Sequence, residues 1–256
     1  MYRKICYKLY WFVENVICPG LKFSQYLYED KLLTLTNETS CWIDLGCGRK
    51  LLPDWRYDSE CKLVARCKSI VGIDLDESSI GKHRSIKNVK LGNILNIPFE
   101  GEQFDIATCN MVLEHVEDPG KFFHEVFRVL RPGGIFVFHT PNLNSYTTAA
   151  ARLIPEKLKS FIARLLQGRD DCDLFRTFYK CNTSQDIKKY SSEAGFELIE
   201  LKFWCCSAQF IVIPPLVLFE LLYMRFLMSR NGKINRNNIF AVLRKPEMKS
   251  MKLTSY

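Results

Sequence analysis

A buried strand that runs into a glycine turn, followed by a second strand that ends in an acid, constrains this chain more than any other feature. The first strand and its turn are residues 41–48, Cys-Trp-Ile-Asp-Leu-Gly-Cys-Gly, and the second strand ends at Asp74. Alternate glycines let the backbone approach a ligand closely because no Cβ lies in the way. A carboxylate at the tip of the next strand can accept hydrogen bonds from both hydroxyls of a ribose. The two elements together predict a pocket for a cofactor that contains a nucleoside.

The turn departs from the dinucleotide-binding fingerprint G-x-G-x-x-G at its third glycine. Gly46 and Gly48 supply the first two, but Leu51 holds the third position, where glycine allows a helix to pack closely beneath a pyrophosphate. Asp44 adds a negative charge where two phosphates would have to lie. A cofactor with a cationic amino-acid end suits this charge better, so an NAD-dependent oxidoreductase is the weaker alternative.

Further motifs follow the turn in a fixed order. The pattern D-x-G-x-G resembles motif I of class I S-adenosylmethionine (SAM)-dependent methyltransferases. The later motifs resemble those of the small-molecule methyltransferases of ubiquinone and menaquinone biosynthesis, at residues 91–94, 97–99, 104–107, 113–116 and 127–134. This resemblance covers roughly residues 41–145. Residues 175–179, 182–183 and 194–196 resemble a subgroup from bacterial surface-polysaccharide pathways.

The hydrophobic pattern alternates short strands with helices, which predicts a parallel sheet covered on both faces. Asp118 is a good N-cap for the helix that begins at Pro119, and Pro132-Gly133-Gly134 is expected to end it. The resemblance implies an α/β, Rossmann-like, doubly wound seven-stranded sheet of order 3-2-1-4-5-7-6, with strand 7 antiparallel, plus helical insertions. The strands are predicted at about 41–45, 69–73, 89–91, 104–108, 135–139, 196–204 and 239–244.

The chain length and an apolar content of 47% fit a single methyltransferase domain over residues 1–256. We expect an N-terminal helical segment at 1–39, a SAM-binding core at 40–139 and an acceptor-side cap at 140–183. The C-terminal part of the sheet, at 184–256, carries an apolar insertion at 206–238.

The resemblance assigns cofactor roles to residues at the carboxyl ends of the strands. It implies that the glycine turn approaches the methionine part, that Asp74 holds the ribose, and that the residues after strands 2 and 3 contact the adenine. Asn110 is expected near the sulfonium. The complete predicted set is Asp44, Gly46, Cys47, Gly48, Asp74, Leu75, Asn93, Ile94 and Asn110.

His115 and Glu114 are the candidate catalytic residues. An acceptor hydroxyl needs a base, and the imidazole of His115 can serve as one, with Glu114 orienting it or binding the cofactor. The quinone O-methylating relatives have an E-x-x-E-H array that could hold a divalent metal, but Met111 replaces its first Glu, so we expect no metal. His115 could instead be a helix-packing residue. Further candidates for the acceptor pocket are His139, Asn142 and Tyr146.

The eleven cysteines form no C-x-x-C pair or zinc spacing, which favours reduced thiols in a cytoplasmic protein. No signal peptide is evident at the N-terminus, because Glu14 and Asn15 interrupt its apolar stretch. Apolar residues at helical spacing instead predict an amphipathic helix that covers the cofactor cleft or packs on the sheet. They are Ile5, Leu9, Phe12, Val13 and Val16.

Residues 210–228 are almost wholly apolar, but Pro214, Pro215, Glu220 and Arg225 interrupt them. The run is too short for a membrane span and predicts a core-packing or substrate-capping helix. From residue 225 onward there are eight basic side chains and one acid, so the region 210–256 could also dock on an anionic membrane surface, placing the enzyme peripherally at the inner membrane face. A solvated basic tail is the alternative.

The sequence also predicts which kinds of molecule the protein acts on or binds. We expect a small-molecule, glycan or lipid-linked acceptor, with O-methylation favoured, and no nucleic-acid partner, because the basic residues lack interleaved aromatics. A catalytically inactive, membrane-associated SAM-fold binding module is the alternative. The sequence does not determine the oligomeric state.

Overall fold

The computed structural model describes residues 2–155 and 175–247, which form a seven-stranded mixed sheet with helices on both faces. The spatial order is β3-β2-β1-β4-β5-β7-β6, and β7 is antiparallel to both of its neighbours. The predicted fold class is therefore confirmed. The strands are β1 Cys41–Leu45, β2 Ser69–Asp74, β3 Val89–Leu91, β4 Phe104–Asn110, β5 Leu130–Pro141, β6 Glu197–Trp204 and β7 Asn238–Arg244.

Each central strand is buried on both faces, because successive side chains point to opposite sides of the sheet. In β5, Phe136 and Phe138 enter one core while Val137 enters the other. β7 repeats this alternation, with Ala241 in the first core and Phe240 in the second. These continuous apolar runs are typical of strands sandwiched between helices.

Seven α-helices surround the sheet in the described residues. The first core is closed by α4 and α6, and the second by α2 and α3. The helices are α1 Tyr2–Ile17, α2 Ser24–Leu35, α3 Tyr57–Ala65, α4 Pro119–Val129, α5 Tyr146–Leu153, α6 Ser184–Glu193 and α7 Pro214–Met228.

The predicted start of α4 is confirmed, but its predicted end is wrong. Asp118 accepts a hydrogen bond from the Lys121 amide at 3.0 Å, and Pro119 is the first helical residue. The helix ends at Val129 rather than at the Pro-Gly-Gly sequence, because Leu130 is extended and pairs with Phe104 of β4. Pairing with a neighbouring strand therefore overrides the helical spacing of Leu130.

The segment after the glycine turn becomes helical only after several residues. Residues 49–53 are irregular, Asp54–Arg56 form one 3₁₀ turn, and α3 begins only at Tyr57. Pro53 precedes this turn rather than lying in the first turn of α3. The chain therefore leaves an extended loop beside the end of β1.

The prediction that the apolar stripe of α1 packs against the protein is wrong for four of its five residues. Ile5, Leu9, Phe12 and Val16 are exposed, by up to 70% for Phe12, and only Val13 packs against a core. The buried face of α1 instead carries Cys6, Tyr10 and Glu14. The helix is apolar on more than one face, so periodicity alone could not identify the face that packs.

Two of the basic side chains near the C-terminus are held by backbone carbonyl groups of the protein. The Lys245 ammonium is buried and donates to the carbonyl oxygens of Leu130 at 2.7 Å and Phe127 at 3.1 Å. Arg236 donates to the Leu227, Met228 and Phe203 carbonyl oxygens. Lys249 and Lys252 lie outside the described residues, as does the part of the predicted acceptor-side cap at 156–174.

Candidate functional site

The glycine turn is fixed against the end of β2 by backbone hydrogen bonds. Gly46 and Cys47 both donate their amides to the Ile73 carbonyl, at 2.8 and 3.0 Å. Gly46 has φ +70° and Gly48 has φ +53°, the left-handed region that glycine adopts without strain. A Cβ on Gly46 would lie 2.5 Å from Val112 Cγ2, whereas one on Gly48 would point into open space. The turn therefore packs tightly on one side and leaves its backbone open on the other.

Asp74 connects the end of β2 to this turn. One carboxylate oxygen accepts the Gly48 amide at 2.8 Å and the other accepts the Asp76 amide at 2.8 Å. Each oxygen has a second lone pair, so the carboxylate can still accept hydrogen bonds from ligand hydroxyls. Leu75, the next residue, is 64% exposed. The structure thus brings Asp74, the glycine turn and an exposed apolar side chain to one point.

Asp44 lies beneath the turn and is only 4% exposed. Its carboxylate accepts a hydrogen bond from the Thr108 hydroxyl of β4, and Trp42 Nε1 donates to the same hydroxyl oxygen at 2.6 Å. Burial, reinforced by the negative charges of Asp74 and Glu60, raises the pKa of Asp44 to about 7. The carboxyl group therefore titrates near neutral pH.

The two residues predicted to contact the adenine have different surroundings. Asn93 is exposed, and its side-chain oxygen accepts the Leu95 amide at 2.8 Å. Ile94 is 9% exposed and belongs to the core beneath α4. Their roles toward the adenine stay predictions.

Asn110 and His139 form a pair at the ends of β4 and β5. Asn110 Oδ1 lies 3.0 Å from His139 Nδ1, so Nδ1 carries the proton and donates. Burial lowers the pKa of His139 to about 3, and the ring is neutral at ordinary pH. The Asn110 amide nitrogen points to Gln25 Oε1 and the Leu51 carbonyl, each at 3.5 Å. His139 therefore orients Asn110 toward α2 and the loop after β1.

Sequence reasoning missed three contributors to this part of the site. Gln25 and Tyr28 come from α2, and the Tyr28 ring stacks on His139 with a centroid distance of 5.8 Å. Thr108 holds Asp44. None belongs to a recognisable motif, because each is brought in by the packing of elements that are distant in sequence.

His115 lies under the segment 175–180. Its Nδ1 is 2.8 Å from the Arg176 carbonyl, and Phe175 packs edge-on against the ring at 6.0 Å. A carbonyl can only accept, so Nδ1 donates, and in the neutral ring Nε2 is left as the acceptor. Nε2 lies 4.0 Å from a carboxylate oxygen of Glu114. In this tautomer Nε2 is the ring nitrogen that can accept a proton.

Glu114 is buried and held from several directions. Its carboxylate accepts from the Thr140 hydroxyl at 3.1 Å, and Asn182 Nδ2 donates to Thr140 Oγ1 at 2.7 Å. The Glu114 backbone carbonyl accepts the amides of Phe178 and Tyr179 at 2.8 and 3.1 Å. The pair of residues 114 and 115 is thus fixed by β5 and by the segment 175–180.

Asn142 and Tyr146 connect the end of β5 to the insertion before β7. Asn142 is fully buried and donates to the Ile234 and Arg236 carbonyls at 2.9 and 2.8 Å. The Tyr146 hydroxyl donates to Glu220 of α7 at 2.5 Å. Burial and the charge of Glu220 raise the pKa of Tyr146 well above its usual range, so it keeps its proton. Their roles in an acceptor pocket stay predictions.

Within residues 2–155 and 175–247, no group of three or more His, Cys, Asp or Glu side chains could hold a metal ion. In the same part of the chain no helix combines the length and the apolar character needed to cross a bilayer.

Comparison with known proteins gives one consistent result. The sequence model of a family described as "Methyltransferase domain" matches residues 21–201. A ubiquinone biosynthesis O-methyltransferase of Psychrobacter arcticus is 28% identical over 200 residues, which cover 74% of this chain and 70% of the relative. A demethylmenaquinone methyltransferase of Staphylococcus saprophyticus is 34% identical over 172 residues, covering 62% of this chain and 71% of the relative.

A third relative, from Mycolicibacterium smegmatis, is named "Probable S-adenosylmethionine-dependent methyltransferase" and is 32% identical over 138 residues. The match covers 53% of this chain but only 49% of the relative, so the chain spans about half of that protein's length.

Solved structures support the fold. A SAM-dependent methyltransferase of Mesorhizobium loti has a TM-score of 0.53 and 20% identity, over 84% of this chain and 96% of the other. A geranyl diphosphate C-methyltransferase of Streptomyces coelicolor, solved with S-adenosyl-L-homocysteine, has a TM-score of 0.50 and 16% identity, over 86% and 77%. The family model matches most of this chain. Together with the similar sequences and structures, this match shows that the chain belongs to the class I SAM-dependent methyltransferases.

Proposed function

We propose that this protein transfers the methyl group of SAM to a hydroxyl of a small-molecule, glycan or lipid-linked acceptor. The observation that carries the proposal is Asp74, whose carboxylate is held by the Gly48 and Asp76 amides beside an open glycine backbone. This arrangement suits a nucleoside with two free ribose hydroxyls. The names of the quinone O-methylating relatives favour oxygen as the acceptor atom.

The residues of the site fit SAM better than a dinucleotide. Asp44 and Asp74 place two carboxyl groups at the turn, which would repel a pyrophosphate and attract a sulfonium and an ammonium group. The Gly48 backbone has room on the side where a Cβ would lie. We assign the methionine end to the turn, the ribose to Asp74 and the sulfonium to the neighbourhood of Asn110.

SAM supplies an electrophilic methyl group on a sulfonium that leaves as a neutral thioether. The chain supplies alignment and a proton acceptor, because in-line displacement depends on the position of the attacking oxygen. His115 Nε2 would take the proton of the acceptor hydroxyl. Glu114 stabilises the resulting imidazolium from about the distance of an ion pair, 4.0 Å.

Titration calorimetry and a methyl-transfer assay separate this proposal from its alternatives. In calorimetry we expect the full chain to bind SAM and S-adenosylhomocysteine and not NAD. In the assay we expect it to transfer labelled methyl groups from SAM to hydroxyl acceptors in a screen of quinones, lipids and sugars. Binding of NAD in preference to SAM would support an oxidoreductase. Binding of SAM without transfer to any acceptor in the screen would support an inactive binding module.

The base role of His115 has its own test. His115→Ala should lower kcat by about 10²–10⁴-fold, because general-base catalysis contributes that much, while the affinity for SAM stays within about threefold. His124→Ala is the matched control, since His124 is an exposed histidine of α4. A His115→Ala enzyme with full turnover would show that His115 only packs against Phe175.

We place the protein on the cytoplasmic side of the cell, with peripheral attachment to the inner membrane face. The basic residues of the insertion and the apolar character of α7 support this placement.

A further inference from the structure

The N-terminal helix and the insertion helix form a pair with its own small core. The side chains between α1 and α7 include Tyr10, Val217, Leu221 and Met224, all buried. Cys18 Sγ donates to the Leu221 carbonyl at 3.3 Å, and the Tyr2 hydroxyl donates to the Val212 carbonyl at 2.9 Å. These contacts hold the two helices against each other.

Both outer faces are apolar. On α1, positions 5, 9, 12 and 16 fall on one stripe at 3.6 residues per turn, and these exposed side chains are Ile, Leu, Phe and Val. On α7 the large apolar side chains that are exposed are Leu216, Leu218, Phe219, Leu222, Tyr223 and Phe226, with 69% of Phe219 exposed. A helix that is apolar all round is normally buried in a core or a membrane. We call these two exposed stripes together the α1/α7 face.

The charges around the α1/α7 face have one sign. Residues 2–23 and 205–237 contain eight basic side chains and two acidic ones. Both acids, Glu14 and Glu220, are buried. The exposed ammonium and guanidinium groups include those of Lys4, Lys8 and Arg225. An apolar surface on two segments whose exposed charges are all positive complements an anionic lipid headgroup layer.

One aromatic side chain with a polar end belongs to this face. Tyr223 of α7 is 39% exposed. Tyrosine and tryptophan are enriched where hydrocarbon meets water, because their rings are apolar and their O–H or N–H groups are polar. The position of Tyr223 supports a bilayer interface as the occupant.

The α1/α7 face lies beside the acceptor side of the sheet. β7 is antiparallel, so its first residue, Asn238, pairs with Pro141 at the carboxyl end of β5. The insertion therefore reaches the sheet at the edge where the cofactor residues lie. Tyr146 ties α7 to this edge through Glu220, and Asn142 ties the end of the insertion to it.

We propose that the α1/α7 face docks on an anionic membrane leaflet, with both helices lying in the plane of the interface. A second copy of the chain is a poorer occupant, because a symmetric dimer would bring two basic rims together. Docking would bring the enzyme close to a lipid-linked acceptor. Only this purpose rests on the proposed methyltransferase function. Vesicle binding itself requires no turnover.

Co-sedimentation of the full chain with vesicles tests the proposal. We expect binding to vesicles that contain phosphatidylglycerol and much weaker binding to phosphatidylcholine vesicles. Phe12→Glu/Phe219→Glu should lower the partition coefficient at least about tenfold, because it places charge in the apolar stripe. The double substitution Lys4→Gln/Lys8→Gln should lower the partition coefficient on phosphatidylglycerol vesicles about fivefold per charge removed. The same substitution should cause no such loss on neutral vesicles.

Ile199→Glu is the matched control, since Ile199 is 46% exposed on β6, outside both helices; it should bind vesicles like the wild type. Calorimetry with SAM on every variant keeps the two proposals separate, because a docking variant should still bind the cofactor. Equal binding to both vesicle types, or none, would overturn the proposal. So would a homodimer in light scattering that the Phe12→Glu/Phe219→Glu variant converts to monomer.

Discussion

Replacing Asp74 by alanine should lower the affinity for SAM by at least about a hundredfold. Hydrogen bonds to a charged group contribute about 1.5–3 kcal/mol each, and the ribose offers two hydroxyls. The substitution also removes the acceptor of the Gly48 and Asp76 amides, so the turn loses a support at the same time. Calorimetry with SAM measures the affinity, and circular dichroism at increasing temperature shows whether the fold persists.

Asp74→Asn should lower the affinity for SAM nearly as much as Asp74→Ala. This loss distinguishes the site from an ordinary ribose contact. Both carboxylate oxygens face a backbone N–H, so an amide nitrogen would direct its hydrogens at one of these donors. Asp76→Ala is the matched control, because Asp76 only caps the turn that contains Ser78 and Ser79. It should cost only a little stability, through the lost cap, and little affinity for SAM. An Asp74→Ala protein that binds SAM within threefold of the wild type would show that the ribose lies elsewhere.

The affinity for SAM should rise with pH and level off above about 7 because of Asp44. The buried carboxyl group has a pKa raised to about 7, so below that pH it holds a proton that a cationic ligand must displace. Linkage then predicts about a tenfold fall in affinity per pH unit below the pKa. Calorimetry across about pH 5.5–8.5, in buffers of different ionisation enthalpy, measures both the affinity and the released proton.

Asp44→Asn should abolish this pH dependence and leave a weak, constant affinity. Asp58→Asn, at an exposed carboxylate of α3, should keep the slope of the wild type. If Asp44→Asn retains the slope, another group is responsible for it.

The same raised pKa predicts how stability depends on pH. The native state holds the Asp44 proton up to about pH 7, whereas the unfolded chain releases it near its ordinary pKa of 3.8. The native state therefore binds more protons in this window, and the unfolding free energy falls as pH rises through it. Relative to Asp44→Asn, the loss approaches about 4 kcal/mol at pH 8. Denaturant titrations of the two proteins at several pH values measure the difference.

The strands and the start of α4 could be predicted because their signals are local. A run of buried residues, a Pro at the first helical position and a capping Asp act over a few residues. Leu130 shows the limit, since its helical spacing was overridden by pairing with Phe104 across the sheet. The prediction that Lys245 is a surface charge failed for the same reason. Its ammonium donates to a buried carbonyl oxygen of a residue more than a hundred positions earlier.

Within the candidate site, sequence identified which residues end the strands but not how they are held. The contact of Asp44 with Thr108 and that of Asn110 with His139 each join different strands. Gln25 reaches the site from α2. A motif records only neighbours along the chain, so it cannot show a hydrogen bond that depends on the register between strands.

By itself the sequence determined the strands and the glycine turn, because strand periodicity and turn glycines specify backbone geometry locally, and its resemblance to a family implied the order of the sheet. Only the tertiary structure decided the protonation of Asp44 and the surface formed by α1 and α7. The pKa depends on how completely the surrounding strands exclude water from the carboxyl group. The exposed face of α1 depends on which of its apolar faces packs against Leu221 and Met224. Because α1 is apolar on several faces, its sequence pattern does not predict which face packs.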